Sequence, residues 1–283
     1  MAALVDLIET PTIPVSQPVP VVPRTSSALG IDIGGSGIKG AVVDVRRGEY
    51  ASDFLQIPTP SPSTPRNVAE VVAQIAERLS AELGDGPVGV TIPAIVRHGV
   101  TCSAANIDSS WIDAPAQQTF QLALGREVTL VNDADAAGVA EVTYGAARNA
   151  SGMVIVTTLG TGIGSALIHD GVLIPNTELG HLELDGLDAE VLAAASARAR
   201  ENLSFEAYVP RLQRYFGALD FLFSPDLIVV GGGVSEHSEK FLPQLRLNCP
   251  VVPAALQNSA GIIGAARMAG VATASTLGHR WAP

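Results

Sequence analysis

One glycine-rich motif occurs twice in this 283-residue chain and limits the possible folds more than any other pattern in the sequence. The first copy, residues 28–44, has an apolar run that ends at Asp32, the turn Gly34-Gly-Ser-Gly37, and a second apolar run. The second copy, residues 157–170, repeats this order around Gly160-Thr-Gly162, almost half the chain length further on. Each copy predicts a β-hairpin with a glycine-rich tip. Two such hairpins half a chain apart favour a duplicated α/β fold.

Glycine-rich tips of this kind are suited to holding a phosphate. Glycine reaches positive φ without strain, so we expect each tip to bend that way and turn its amide N–H groups toward an anion. Ser36 adds a hydroxyl donor, and Asp32 can hold Mg²⁺, directly or through water. A single tip is equally compatible with an ordinary tight hairpin. The second copy favours a site where the two halves hold one phosphate chain between them.

Composition and charge exclude several classes of function. The chain has a net charge of −11 and no basic run, which argues against a nucleic-acid partner. No apolar run reaches the roughly 18–20 residues of a membrane span. Cys102 and Cys249 form no CxxC pair, so they support neither a disulfide framework nor a thiolate zinc site, and a reducing, cytoplasmic setting is expected. Residues 1–27 are interrupted by prolines and do not resemble a signal peptide, so we predict a disordered leader.

The remaining pattern predicts alternating strands and helices. We expect a third strand over residues 50–57, a helix capped by Asn67 and a buried strand over residues 88–92. Residues 99–118, which include Asn106, form a polar stretch, and loops of this length are usually functional. Further helices are predicted over residues 134–144, 188–201, 204–223 and 259–269, and further strands over residues 128–131 and 227–230.

Two pairs of polar residues are candidates for chemistry. Asn132 and Asp133 follow a predicted strand, and ligands of α/β sheets gather at the carboxyl ends of strands. Asp133 could instead serve only as the cap of the next helix, since Asp and Asn are preferred there. Glu178 and His181 would point the same way on a helical turn, which suits them to gripping neighbouring sugar hydroxyls. A solvated acidic loop is the alternative, and no further His or Cys is near enough to suggest a metal site.

Five segments occur in a fixed order along the chain: Asp32-Ile-Gly-Gly-Ser36, Val131-Asn-Asp133, Leu159-Gly-Thr-Gly-Ile-Gly164, Glu178-Leu-Gly-His181 and Ile228-Val-Val-Gly-Gly-Gly233. Together they resemble the ROK sugar kinases, and among these the polyphosphate glucokinases, including polyphosphate/ATP glucomannokinases. The resemblance covers residues 29–269. It implies an actin-like (ribonuclease H-like) α/β fold of two domains with a central cleft. Residues 28–133 with about 259–272 would form the N-terminal domain, and residues 134–258 the C-terminal domain.

The resemblance also implies roles for individual residues. Asp133 would be the catalytic base and would bind the sugar together with Asn106, Asn132, Glu178, His181 and Glu190. Mg²⁺ is the implied cofactor, with Asp32 in its shell. The phosphate-binding candidates are Asp32, Gly34, Gly35, Ser36, Gly37, Lys39, Gly160, Thr161 and Gly162, and the nucleotide-binding candidates are Gly231, Gly232 and Gly233.

The chain departs from the family pattern at two places. Many ROK proteins carry a cysteine-rich zinc motif after the Glu-x-Gly-His segment, but residues 182–200 contain no cysteine, so we expect no zinc site. Lys39 lies three residues after Ser36 instead of directly after it, which leaves its phosphate role open.

The predicted activity is phosphorylation of the 6-hydroxyl of glucose by polyphosphate, ATP or both, with Asp133 as general base. Mannose would be accepted as well if no tight contact reads its 2-hydroxyl. An ATP-only ROK glucokinase or fructokinase is one alternative. A non-catalytic ROK-type sugar sensor is another, although residues 1–27 are too short and proline-rich for a helix-turn-helix. Monomer and homodimer are both compatible with the sequence.

A polyphosphate donor needs cations along an open groove, and the chain contains only two lysines. Arg198, Arg200, Arg211 and Arg214 are close in sequence, and the last three would share a face on one unbroken helix. Pro210 predicts a break or a helix start between them. A solvated helix face is the alternative interpretation of these arginines.

Overall fold

The two glycine-rich motifs begin two β-sheets of the same plan. The protein is described by a computed structural model over residues 25–104 and 107–275. The strands are β1 (Ser27–Ile33), β2 (Gly37–Asp44), β3 (Glu49–Tyr50), β4 (Leu55–Pro58), β5 (Val88–Ile92), β6 (Val96–Arg97), β7 (Val100–Thr101), β8 (Val128–Asn132), β9 (Met153–Leu159), β10 (Ile163–His169), β11 (Val172–Ile174), β12 (Glu183–Leu184), β13 (Leu187–Asp188), β14 (Leu227–Gly231) and β15 (Val251–Pro253). The helices are α1 (Pro65–Arg78), α2 (Ser80–Leu83), α3 (Ala116–Leu124), α4 (Asp133–Thr143), α5 (Ala189–Ala193), α6 (Ala195–Arg200), α7 (Phe205–Phe223) and α8 (Ala260–Ser275).

Both sheets combine an antiparallel hairpin with parallel strands. The first has the order β3-β2-β1-β5-β8, with β4 also paired to β2, and the second has the order β11-β10-β9-β14-β15. β5 runs parallel to β1, and β14 runs parallel to β9. The carboxyl ends of the central strands therefore meet at the same edge as the hairpin tips, which is where ligands collect in such sheets.

Each sheet has an apolar core of its own. β5 is buried at all five positions, as expected for a parallel strand covered on both faces. Val68, Val72 and Ile75 of α1 pack on the first sheet, and Phe216 of α7 packs on the second. Among the described residues, no helix is both long enough and apolar enough to span a membrane.

The last helix returns to the first sheet and packs without intervening side chains. A Cβ at Gly30 of β1 would lie 1.9 Å from the carbonyl oxygen of Ile262, and a Cβ at Gly89 of β5 would lie 2.0 Å from that of Ala265. Backbone contact this close is open only to glycine. α8 also crosses α4, where a Cβ at Gly264 would lie 1.9 Å from the Ala136 carbonyl oxygen. The domain boundaries at residues 133 and 259, next to the starts of α4 and α8, stay a prediction.

Several predicted elements differ in detail. The third strand is divided into β3 and β4 by a bend at Ala51 and Ser52. The cap of α1 is Thr64, whose hydroxyl accepts the Asn67 N–H, because Pro65 takes the first helical position. The stretch at residues 99–118 contains β7, a 3₁₀ turn and the start of α3, so only part of it is irregular.

The helical region after residue 188 also differs from the prediction. An extended Ala194 separates α5 from α6, so residues 188–201 do not form one helix. Pro210 lies inside the unbroken α7 and neither begins nor breaks it. Proline removes the N–H that would bond to Glu206, and both residues are exposed, so water can reach the carbonyl left without this partner.

Candidate functional site

A cavity of about 580 Å³ lies between the two sheets and brings most of the predicted site residues together. Both hairpin tips line it, as do the start of α4 and the loop that carries Glu178 and His181. The predicted residues in its wall are Asp32, Gly34, Gly35, Ser36, Asn132, Asp133, Gly160, Thr161, Gly162, Glu178, His181, Glu190 and Gly232.

The backbone conformation of the hairpin tips differs from the one that the sequence predicted. None of the tip glycines adopts a positive φ. Each turn is instead closed by one backbone hydrogen bond. In the first tip the Gly34 N–H donates to the Gly37 carbonyl at 3.1 Å, and in the second the Gly160 N–H donates to the Gly162 carbonyl at 2.9 Å. A Cβ at Gly35 or Gly160 would have no neighbour within 4 Å, so glycine here keeps the space above the tip free.

Both tips are braced from outside through their carbonyl groups. The Thr59 hydroxyl donates to the Gly34 carbonyl at 2.5 Å. The Ser196 hydroxyl donates to the Thr161 carbonyl at 2.5 Å, and the Ser196 N–H donates to the Gly160 carbonyl at 3.0 Å. Within residues 25–104 and 107–275, no group accepts the N–H of Gly35, Ser36 or Thr161. These amides are therefore available to an anion.

Asp32 lies at the end of β1, directly beside the first tip. The Thr91 hydroxyl of the neighbouring strand donates to its Oδ1 atom at 2.6 Å. A Cβ at Gly261 would lie 2.9 Å from the Asp32 Cγ atom, so a glycine at the start of α8 leaves room for this carboxylate. No described group donates to the Oδ2 atom, which leaves an oxygen for Mg²⁺ or its water shell.

Asn132, and not Asp133, caps α4. Its Oδ1 atom accepts the Asp135 N–H at 3.0 Å, and its Nδ2 atom donates to the Ala94 carbonyl at 3.2 Å. Both polar atoms of Asn132 are thus used in holding α4 against the end of β5. Asp133 is the first helical residue, which leaves its carboxylate free to face the cavity. The alternative in which Asp133 serves only as a cap does not apply.

The surroundings of Asp133 raise its pKa to about 7. Burial is the main cause, and the negative charges of Asp32 and Glu178 add to it, whereas the Ala134 N–H opposes it through a 2.8 Å hydrogen bond. A carboxylate with a pKa near neutrality can accept a proton and release it again at ordinary pH. The site therefore contains a carboxylate that is able to act as a general base.

Glu178, His181 and Glu190 form a polar part of the cavity wall. His181 ends the 3₁₀ turn Leu179–His181, Glu178 directly precedes this turn, and both side chains line the cavity. The His181 Nδ1 atom lies 2.9 Å from the Asp188 Oδ2 atom, and this bond is the main cause of the raised pKa of His181. Burial raises the pKa of Glu178. The Ile163 N–H donates to the Glu190 Oε2 atom at 3.1 Å, which fixes Glu190 directly beside the second tip.

Asp135 and Asn176 were missed by the sequence analysis, and Asn176 joins the two halves. The Asn176 side chain bonds to both the N–H and the carbonyl of Val96, at 2.8 and 3.0 Å. Its own N–H donates to the Asp135 Oδ2 atom at 2.8 Å. Burial raises the pKa of Asp135 to about 6. An Asn in a loop gives no periodic signal, so sequence reasoning could not have found this link.

Other predicted residues lie outside the cavity or outside the described residues. Gly37 is a buried strand residue whose carbonyl closes the first tip. Lys39 and Gly231 line a smaller neighbouring cavity of about 150 Å³, which Asp32, Asp133 and Gly232 also border. Gly233 lines neither cavity. Asn106 lies outside the described residues. Over the described ranges, no three His, Cys, Asp or Glu side chains converge as a metal site.

Comparison with known proteins identifies relatives over most of the chain. A family model described as the ROK family matches residues 28–202. A polyphosphate glucokinase from Mycobacterium tuberculosis is 46% identical over 264 residues, which span 93% of this chain and 98% of the relative.

Solved structures share the fold. A polyphosphate/ATP-glucomannokinase from Arthrobacter sp. strain KM superimposes with a TM-score of 0.83 and 51% identity, over 88% of this chain and 100% of that one. A ROK family glucokinase from Streptomyces griseus, in complex with glucose and AMPPNP, gives a TM-score of 0.73 over 86% of this chain and 99% of that one, at 24% identity. The predicted actin-like, duplicated α/β fold is confirmed.

Proposed function

Because the chain belongs to the ROK family, we propose that it transfers the terminal phosphoryl group of polyphosphate or ATP to the 6-hydroxyl of glucose. The observation that carries this proposal is Asp133, a carboxylate with a pKa raised to about 7, on the floor of a cavity walled by two amide-lined tips. A base of near-neutral pKa and two anion-binding loops are suited to phosphoryl transfer to an alcohol.

In the proposed reaction, Asp133 accepts the proton of the sugar hydroxyl. The hydroxyl oxygen forms a bond to the terminal phosphorus as the bond to the rest of the donor breaks. Free N–H groups of Gly35, Ser36 and Thr161 spread the charge that develops on the transferred group. The protein contributes positioning and charge stabilisation, which account for most of the catalysis in this class of reaction.

We propose Mg²⁺ as the cofactor. Asp32 would hold it, with phosphate oxygens and water as the other ligands, since Mg²⁺ usually keeps several waters and takes one or two carboxylates. The bound ion would shield the negative charge of the phosphates. Hard oxygen donors of this kind suit Mg²⁺.

Glu178, His181 and Glu190 are proposed to bind the sugar hydroxyls, with Asn106 as a further candidate. Carboxylates accept two hydroxyl hydrogens, and the His181 ring is oriented by Asp188 so that its other nitrogen is left for the sugar. Mannose is a second acceptor to test because it differs from glucose only at the 2-hydroxyl.

We propose the cytoplasm as the location of the protein. Both described cysteines are free thiols, as is usual in a reducing compartment.

The proposal is tested by following glucose 6-phosphate formation with purified protein, Mg²⁺ and either polyphosphate or ATP. A sugar sensor would bind glucose and form no product, and an ATP-only kinase would show no product with polyphosphate.

Asp133→Asn tests the role of the base. We expect it to lower kcat by about 10² to 10⁴ and to leave glucose binding within a few-fold, since only proton transfer is removed. Asp53→Asn is the matched control because Asp53 is an exposed aspartate that does not line the cavity. Near-normal turnover of Asp133→Asn would remove this residue from the role.

A further inference from the structure

The structure separates the four arginines that are close in sequence. Arg211 forms a two-bond ion pair with Glu201, which Arg200 also contacts at 3.3 Å. Arg214 binds Asp185 through two bonds of 3.0 Å. The predicted shared face does not form, because Arg200 lies on α6 and the other two on α7. Carboxylates on the protein surface therefore neutralise these three charges.

Arg198 is different because its partner is an aromatic ring. Its Cζ atom lies 4.0 Å from the centre of the Phe205 ring, and the Lys240 Nζ atom lies 5.4 Å from the same centre. The His237 ring meets Phe205 edge-on at 5.8 Å. We call Arg198, Phe205, His237 and Lys240 the Phe205 cluster.

The cations of this cluster have no carboxylate partner. Among the described residues, neither Arg198 nor Lys240 forms an ion pair, and the buried Arg198 Nε atom has no hydrogen-bond acceptor. Two like charges held over one ring repel each other, and a bound anion would relieve this repulsion. In a chain with a net charge of −11, such an arrangement favours an anionic ligand.

Two short chain segments connect the Phe205 cluster to the cavity wall. Arg198 is two residues after Ser196, which binds the carbonyl groups of the second tip directly. His237 and Lys240 belong to the 3₁₀ segment Gly233–Lys240, which begins next to Gly232 in the cavity wall. A linear anion that is held by the second tip and extends away from Asp133 between these two elements would therefore meet the cluster.

We infer that the Phe205 cluster binds the distal phosphates of a polyphosphate donor, beyond those held by the hairpin tips. This inference deepens the proposed function and rests on it for the place of the donor. A phosphate chain fits better than a nucleotide base because Arg198 already lies over the aromatic ring on which a purine would stack. Hydrogen bonds from guanidinium and ammonium groups to phosphate are also charge-assisted, and therefore stronger than neutral hydrogen bonds.

Binding of fluorescently labelled long-chain polyphosphate, measured by anisotropy at low salt, tests the inference independently of turnover. We expect the double variant Arg198→Gln/Lys240→Gln to weaken binding at least tenfold. Lys240→Gln alone, at an exposed position, should weaken it about threefold. Arg200→Gln is the matched control because Arg200 is paired with Glu201, and its Kd should stay within twofold of the parent.

Kinetics with three donors then locate the effect. The double variant should raise the KM for long-chain polyphosphate at least tenfold, and the KM values for tripolyphosphate and ATP should change less than threefold, since the tips hold the first phosphates. An equal rise for ATP would overturn the inference in favour of a nucleotide site. Unchanged polyphosphate binding, or none by the parent protein, would overturn it as well. If the parent protein binds polyphosphate through the cluster but forms no glucose 6-phosphate, the proposed function fails and the binding site stands.

Discussion

At the scale of single residues, the proposed chemistry of the site depends on the raised pKa of Asp133. The carboxylate stands among two others, Asp32 and Glu178, in a half-buried position, and these surroundings bring its pKa to about 7. The groups proposed to bind Mg²⁺ and sugar thus add to the effect of burial on the basicity of the proposed base. A substitution at Asp32 or Glu178 changes two functions at once, and kinetic effects at these positions are not additive.

The pKa of Asp133 predicts a pH dependence. A raised carboxyl pKa means that Asp133 is protonated below about pH 7 and ionised above it, so the base is lost as the pH falls. We expect kcat/KM for glucose to fall about tenfold per pH unit below a midpoint near 7 and to level off above it. Glu178→Gln removes one of the charges that raise the pKa and should shift this midpoint downward.

Steady-state rates between pH 5 and pH 9 measure this profile, with protein stability checked at each pH. A kcat/KM that stays flat down to pH 5 would contradict the assignment of Asp133 as the titrating base.

At the scale of secondary-structure elements, the helices α4 and α8 depend on glycines that allow backbone contact. Gly264 lies inside α8, and any Cβ there would overlap the Ala136 carbonyl group of α4. Gly217 also lies inside a helix, α7, but a Cβ there would meet only a side-chain nitrogen of Gln213 at an ordinary 3.5 Å. The two positions have the same residue type and opposite surroundings.

This contrast predicts opposite effects of one substitution. Gly264→Ala should destabilise the fold by about 1–3 kcal/mol or more because two helices must move apart. Gly217→Ala should stabilise it by about 0.5–1 kcal/mol, since alanine has the higher helix propensity. Urea unfolding of the two variants and of the parent protein measures these changes in the free energy of unfolding. Equal effects at both positions would show that α4 and α8 do not pack as described.

At the scale of the whole molecule, the active cavity exists only while the two halves keep their relative position. Apart from the crossing of α4 and α8, Asn176 supplies a direct link, since it binds Val96 of the first half through its side chain. Its φ of 61° is in the left-handed region, which asparagine tolerates better than most residues. Backbone geometry and side-chain chemistry therefore both favour asparagine at this position.

Asn176→Gly tests this link. Glycine keeps the left-handed backbone and removes both side-chain bonds, so we expect a loss of about 1–3 kcal/mol in unfolding free energy and a rise of several-fold in the KM for glucose. Asn202→Gly is the matched control, because Asn202 has a φ of 48° and its side chain makes no hydrogen bond within the described residues. A variant at position 176 with an unchanged KM would show that the link does not hold the sugar wall in place.

Local patterns in the sequence sufficed to predict the two hairpins, the buried strand β5 and the position of Asp133 at a strand end. These features follow from apolar periodicity, glycine content and the preference of polar residues for helix starts, all of which act within a few residues. The register that sets Asp32 opposite Thr91 was not predicted, because the two residues are far apart in the chain.

Tertiary structure alone decided the rest, for reasons of distance along the chain. The choice of Asn132 over Asp133 as the cap of α4 depended on the Ala94 carbonyl, which accepts a hydrogen bond from the Asn132 side chain. The positions of Asp185 and Glu201 decided which arginine would remain without a carboxylate partner. The pKa of Asp133 depends on Asp32 and Glu178, far before and after it in sequence. Burial and charge act through space, so only the folded chain determines which side chains share them.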